Sequence, residues 1–356
     1  MLDQLSHPII QAPMAGGVST PALAAAVSEA GGLGFISAGM LSPDKLRVQL
    51  AALRELTDRP FGVNVFSPSA APGDELAVAE YASVLSGLVG EGSPSLGRAR
   101  FHDDHYAAKL AILTDDAPAV VSFTFGCPSP QEIGELHDAG AEVWVTVTQV
   151  DEAQLAVAAG ADAVIAQGSE AGGHRGAWTD DDREQVPTLE LVAAIRRALD
   201  GAGAQGHEGD EELDGGYPLI AAGGLMTGEH VAQALGAGAT AAQLGTAFML
   251  TPEAGTNRPL RRLIAEDRPT AITRAFTGRR ARGIVNRWME QVGDSAPSAY
   301  PEVLTLTAPV RTHGLSVGDS DLMSLWAGER HQEARELPAA ELVHELVSEL
   351  TSVGGG

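Results

Sequence analysis

Apolar runs of strand length recur through the first 250 positions, and most are followed by a segment with its apolar residues on one helical face. Pro8-Ile9-Ile10-Gln11 predicts a first strand, followed by a helix from Pro21 to Ala30 capped by Thr20. Gly34-Phe35-Ile36-Ser37 predicts a second strand. Ser42 then caps a helix that Pro43 opens and that runs to about Leu56. Phe61 to Val65, Val120 to Phe123, Glu142 to Val147 and Ala163 to Ala166 predict strands three to six. Helices are expected at Pro130 to Ala139, Glu152 to Ala159 and Thr188 to Leu199. Leu219-Ile220-Ala221 is a seventh strand, Thr227 to Leu235 a helix, and Ala241 to Leu244 the eighth strand. Strands interleaved with helices in this way predict an α/β chain folded as a (β/α)8 TIM barrel.

The turns fall into two sets. Ala139-Gly140-Ala141, Ala159-Gly160-Ala161 and Ala237-Gly238-Ala239 end helices and lead into strands, which is a structural role. The loops that follow strands are chemically richer. They include Ala12-Pro13-Met14-Ala15-Gly16-Gly17, Thr124-Phe125-Gly126-Cys127-Pro128, Ala222-Gly223-Gly224 and Gln243-Leu244-Gly245-Thr246. A barrel gathers such loops on one face, where barrel enzymes build their sites. The most telling stretch is Ala166 to Gly176: a strand end, a glycine pair (Gly172-Gly173), then His174. Glycines let a ligand approach the backbone closely, and histidine exchanges a proton near neutral pH.

Two segments break the alternation. Residues 67–115 and 251–356 contain helical stretches such as Glu75 to Leu88, Leu260 to Ala265 and Ala339 to Leu350. Together they are expected to form a smaller helical domain capping a barrel made of residues 1–66 and 116–250. The glycine-rich, acidic run from Gly201 to Gly216 is expected to be a mobile surface loop on the far face.

Composition narrows the partners. With 23 basic against 47 acidic residues among 356, the net charge of −24 disfavours nucleic acid and anionic membranes. It does not constrain a small anion, which feels the local field of its pocket. A single cysteine, Cys127, excludes an intramolecular disulfide and a multi-thiolate metal site, and no metal is expected. Neither a secretory pattern at Met1-Leu2-Asp3-Gln4 nor an apolar run of membrane-spanning length is visible, so a cytoplasmic protein is expected. Oligomeric state stays open.

The candidate chemistry is that of a bound cofactor. Gly223-Gly224 and Gly245-Thr246 follow strands seven and eight, where barrels often hold a phosphate through backbone N–H groups. Asn64, Gln167 and Gln243 are amides suited to the edge of a polar heterocycle, and Met14-Ala15-Gly16 suits its face. Any one amide alone reads more simply as a core hydrogen bond. Their shared face favours a phosphate-bearing planar cofactor, with FMN the natural candidate.

These residues also carry a family resemblance. Pro13-Met14-Ala15-Gly16-Gly17, Gly62-Val63-Asn64, Val121 to Gly126 and Gln167 to Gly176 resemble the class I nitronate monooxygenases, formerly called 2-nitropropane dioxygenases. So do Ala221 to Gly224, Gln243 to Thr246 and Thr277-Gly278-Arg279-Arg280-Ala281-Arg282-Gly283. The resemblance implies an FMN-containing barrel with a helical second domain and His174 as the motif histidine. It puts flavin contacts on Asn64, Gln167, Gly172, Gly224 and the segment Gln243, Leu244, Gly245, Thr246, with Met14 and Gly16 beneath the ring. The implied reaction is oxidation of a small anionic nitronate by O2 to a carbonyl compound and nitrite. His174, protonated or as a neutral donor, would orient the nitro oxygens; with a neutral nitroalkane it would act as base. Thr124 departs from family members that carry histidine there. Tyr300 and Leu325 to Gly328 resemble the family's C-terminal region only loosely.

Two other functions compete. One is an FMN-dependent enoyl-acyl-carrier-protein reductase, which shares the Glu-Ala-Gly-Gly-His loop and would use NADH or NADPH. The other is a flavin-binding protein without turnover. Cys127 is expected to be a packed thiol and His102-Asp103-Asp104-His105 a solvated helix end. The arginines from Arg279 to Arg287 either attract an anionic substrate or tie barrel to cap.

Overall fold

The period-two alternation of the strands decides what the barrel encloses. The structure, a computed structural model, describes residues 1–88, 94–181, 183, 185–203 and 216–354. Its strands are, in chain order, β1 (Ile9–Gln11), β2 (Gly34–Ser37), β3 (Phe61–Phe66), β4 (Val120–Thr124), β5 (Glu142–Val147), β6 (Ala163–Gln167), β7 (Gly173–His174), β8 (Leu219–Ala222), β9 (Ala241–Leu244), β10 (Thr270–Thr273) and β11 (Ala281–Ile284). Eight of them pair in parallel in the order β1-β9-β8-β6-β5-β4-β3-β2, and a bridge from Ile10 to Leu33 brings the ends together. This is the (β/α)8 TIM barrel that the pattern predicts.

Alternate strand residues part company. Ile10, Phe35, Val120, Trp144, Ile165 and Ile220 fill the interior, plugged from below by Met1, Leu2 and Leu5. Ile9, Ile36, Val121, Val145, Val164 and Ala221 face outward onto the helices. Nearer the C-terminal ends the inward positions turn polar, at Asn64, Thr124, Thr146, Gln167 and Gln243. The strands therefore build an apolar plug below and a hydrogen-bonding rim above.

The helices that brace the barrel start where their caps dictate. Thr20 accepts from the Leu23 amide at the head of α1 (Pro21–Glu29), and Ser42 accepts from Lys45 at the head of α2 (Pro43–Leu56). Chain order continues with α3 (Glu75–Leu88), α4 (Tyr106–Asp115), α5 (Pro130–Asp138), α6 (Val150–Ala159), α7 (Thr188–Gly203) and α8 (Gly228–Gly236). The tail adds α9 (Arg258–Ile264), α10 (Arg287–Val292), α11 (Glu302–Val317) and α12 (Ala339–Gly354).

The inserted segment and the tail share one apolar cluster: Val78, Tyr81 and Leu85 of α3 pack with Phe276, Trp288, Val303 and Val310. The cap is not wholly helical, however. β10, β11 and β7 form a three-stranded antiparallel sheet. These strands are short and lack an alternating pattern, and β7 comes from a distant loop, so local periodicity is silent about them. Two helices of the expected cap pack elsewhere. Ile112 and Leu113 of α4, and Ala339, Leu342, Val343 and Leu346 of α12, belong to the barrel's outer core. We propose a boundary that returns both helices to the barrel. The acidic run around residues 204–215 lies outside the described residues. Among the described residues, no helix is long and apolar enough to cross a membrane.

Candidate active site

The polar rim and the cap enclose a cavity of about 380 Å³, within the range of small-molecule sites. Met14, Gly16, Asn64, Gln167, Gly172 and Gly173 line it, as do His174, Gly223, Gly224, Gln243, Gly245 and Thr246. Leu244 does not line it. Its side chain points the other way along β9, into the outer core.

His174 sits in the small sheet, opposite Ala281 of β11, so a cap strand fixes its backbone. Its ring is walled by Phe125, Tyr300 and Trp326, with centroid distances of 5.7, 5.7 and 5.6 Å. Nε2 stands 3.0 Å from Oγ1 of Thr277. Burial first, then the guanidinium groups of Arg279 and Arg311, push the imidazole pKa down to about 3. Of the two states open to it, the ring is neutral at physiological pH.

The amides divide their work. Gln167 donates to the His174 carbonyl (3.0 Å) and accepts from the Gly176 amide (2.8 Å), so it holds the histidine loop in shape. Asn64 donates through Nδ2 to Ser122 Oγ (3.0 Å) and Thr124 Oγ1 (2.9 Å). Gln243 differs: its Oε1 is buried with no hydrogen-bond partner. Such an atom is costly unless a ligand donor meets it.

Two arginines carry the cap onto the histidine loop. Arg279 stacks over Phe125, 4.0 Å from the ring centroid, and donates to the Ala177 carbonyl. Arg282 donates to the Ser169 carbonyl (2.9 Å) and pairs with Glu329 (2.8 Å). Arg280 pairs with Asp180, whereas Arg287 lies at the surface near Asp321. Phe125 has φ of +79°, a conformation bulky residues rarely adopt, and strain of this kind collects at functional sites.

Known proteins resemble the chain over nearly its whole length. The family model described as nitronate monooxygenase matches residues 1–349. A nitronate monooxygenase of Pseudomonas aeruginosa is 40% identical, over 97% of this chain and 97% of its own. The chain belongs to the nitronate monooxygenase family. The crystal structure of nitroalkane oxidase from Streptomyces ansochromogenes covers 99% of the chain and 98% of its own, at 46% identity and a TM-score of 0.92. FabK from Thermotoga maritima is more remote, at 27% identity and a TM-score of 0.74 over 99% of this chain and 96% of its own.

In this member of the nitronate monooxygenase family, several cavity residues have roles that the sequence does not announce: Thr277 and Trp326 lie in stretches of family resemblance, and Arg311 lies in none. Thr277, Arg311 and Trp326 reach the cavity from three separate parts of the cap, and Tyr300 backs the histidine ring. Thr146 is the exception, being legible as the inward-facing polar residue at the end of β5. Cys127 is partly buried, and burial raises its thiol pKa to about 11, against a nucleophilic role. His102, Asp103 and His105 are exposed before α4, as expected of a solvated helix end, whereas buried Asp104 pairs with Lys109 at 2.6 Å and accepts from the Met40 amide, bracing a cavity loop.

Proposed function

We propose that this protein oxidises small alkyl nitronates with O2 to a carbonyl compound and nitrite, using FMN held in the cavity. The observation that carries the reading is electrostatic. In a chain of net charge −24, no aspartate or glutamate is among the described residues that line the cavity, whereas Arg311 and Arg330 are. Such a field favours an anion.

The residues present fit FMN. The orphaned Oε1 of Gln243 suits a ring N–H, and no heavy atom lies within 4 Å of where a side chain would begin at Gly16. Gly223 and Gly224 have φ of +119° and +67°, so only glycine leaves this backbone unstrained against a phosphate. Gly223, Gly224, Gly245 and Thr246 would hold the phosphate, and Asn64 and Gln243 the ring edge. Met14, Gly16, Gly172 and Gly173 would bound its faces. Bound there, FMN supplies two-electron oxidation and reactivity towards O2.

The chain's own groups do the rest. Arg311, fixed by Thr307 Oγ1 (3.0 Å) and the Leu304 carbonyl (2.8 Å), has no carboxylate partner among the described residues and is available to attract the substrate's negative charge. Neutral His174 takes the α-proton of a nitroalkane, a step that a nitronate, already deprotonated, does not need. Phe125, Tyr300 and Trp326 limit water around it. The test is stoichiometric: holoenzyme given ethylnitronate should consume O2 and release nitrite and acetaldehyde together. Absence of nitrite from FMN-loaded protein would reject the reading.

A further inference from the structure

The hydrogen bond to the His174 ring comes from the cap. Thr277 is buried on the turn joining β10 and β11, and its Oγ1 lies 3.0 Å from Nε2 of His174. A hydroxyl has one proton to give and two lone pairs to receive with. Here the Arg279 amide donates to one lone pair (3.4 Å), while the Arg279 carbonyl oxygen lies 3.2 Å away as an acceptor for the proton. That leaves the second lone pair facing Nε2, which must then carry hydrogen. The reverse arrangement takes the hydroxyl proton from the buried Arg279 carbonyl and moves the ring hydrogen to Nδ1. Nδ1 has no protein partner among the described residues and is not sealed from the cavity that the ring lines.

We propose that Thr277 is a positioning residue that locks His174 as the Nε2–H tautomer, leaving the Nδ1 lone pair directed at the cavity. Because the ring is neutral, the choice of tautomer decides whether it presents a base or a donor to the substrate. This consequence rests on the proposed reaction. With a neutral nitroalkane, the α-C–H bond breaks and an Nδ1–H bond forms, while the bonding pair moves into the nitro group to give the nitronate. With Nδ1 already carrying hydrogen, that step has no acceptor. A cap residue thereby sets the protonation geometry of a barrel-loop histidine.

Long-range 1H–15N correlation of the 15N-histidine holoenzyme reads the tautomer without substrate, with His174 assigned through His174→Gln. At neutral pH the wild type should show a hydrogen-bearing Nε2 and a bare Nδ1, and Thr277→Ser should match it. Thr277→Val should shift His174 towards a tautomer mixture and lower kcat on nitroalkanes about tenfold. KM should stay within about twofold. Hydrogen on Nδ1 in the wild type, or an unchanged tautomer in Thr277→Val, overturns the proposal. An intact Nε2–H tautomer in an enzyme that turns over no nitronate rejects the proposed reaction instead and upholds the lock.

Discussion

The barrel rim and the cap wall contribute to one cavity by different physical routes. The rim is made by strand periodicity: Asn64, Thr124, Thr146, Gln167 and Gln243 are inward positions near the C-terminal ends of parallel strands, so register alone brings them together. The cap wall is made by packing, and it joins Thr277, Tyr300, Arg311 and Trp326 from four places in the tail. The rim offers hydrogen bonds and bare glycine backbone, which is what binding a flat phosphate ester needs. The cap offers charge and desolvation, and these set the state of His174. On the proposed function, recognition of the cofactor and tuning of the reactive group fall to different halves of the molecule.

That division is breakable. The largest effect should come from the histidine both halves hold. His174→Asn should lower nitroalkane turnover by about 10²- to 10⁴-fold, the usual worth of a general base, and nitronate turnover far less. Initial rates on both substrates check it, and equal losses would count against a base. Next is the rim. Gly224→Val forces a branched residue to φ of +67° beside Glu170 and should weaken FMN binding at least about tenfold, measured by flavin fluorescence titration.

On the cap side, Arg311→Met should raise KM for a nitronate roughly tenfold while FMN content stays normal, with partial recovery in Arg311→Lys. Loss of flavin from the arginine variant would blur the distinction between the two halves. The smallest effect is on stability. The folded-state pKa of His174 lies below the ordinary value of 6.5, so the unfolded chain binds a proton that the folded one refuses. Its contribution is therefore present above pH 6.5 and lost as pH falls towards about 3. Tm should drop more steeply over that window in the wild type than in His174→Gln.

The same contrast explains what could be read in the sequence. Helix caps are local, so Ser42-Pro43 and the span Glu75–Leu88 are legible to the residue. Strand alternation is local too, and it exposes the rim amides. Their duties are not local: Gln167 is engaged by its own loop, and Gln243 is left without a partner. Leu244 shares a motif with rim residues, yet the pleat turns its side chain away. β10 and β11 escape notice because four-residue strands acquire meaning only beside β7. Thr277 heads a stretch of family resemblance, but its duty is invisible until the fold brings it to His174.

The central claim is that a nitronate anion meets a flavin in this cavity beside a neutral histidine. Anaerobic mixing of the purified holoenzyme with ethylnitronate, followed by absorbance, tests it most directly. The visible flavin band should bleach with ethylnitronate and persist with NADH. Bleaching by NADH with no response to nitronate would contradict the account and point to the reductase.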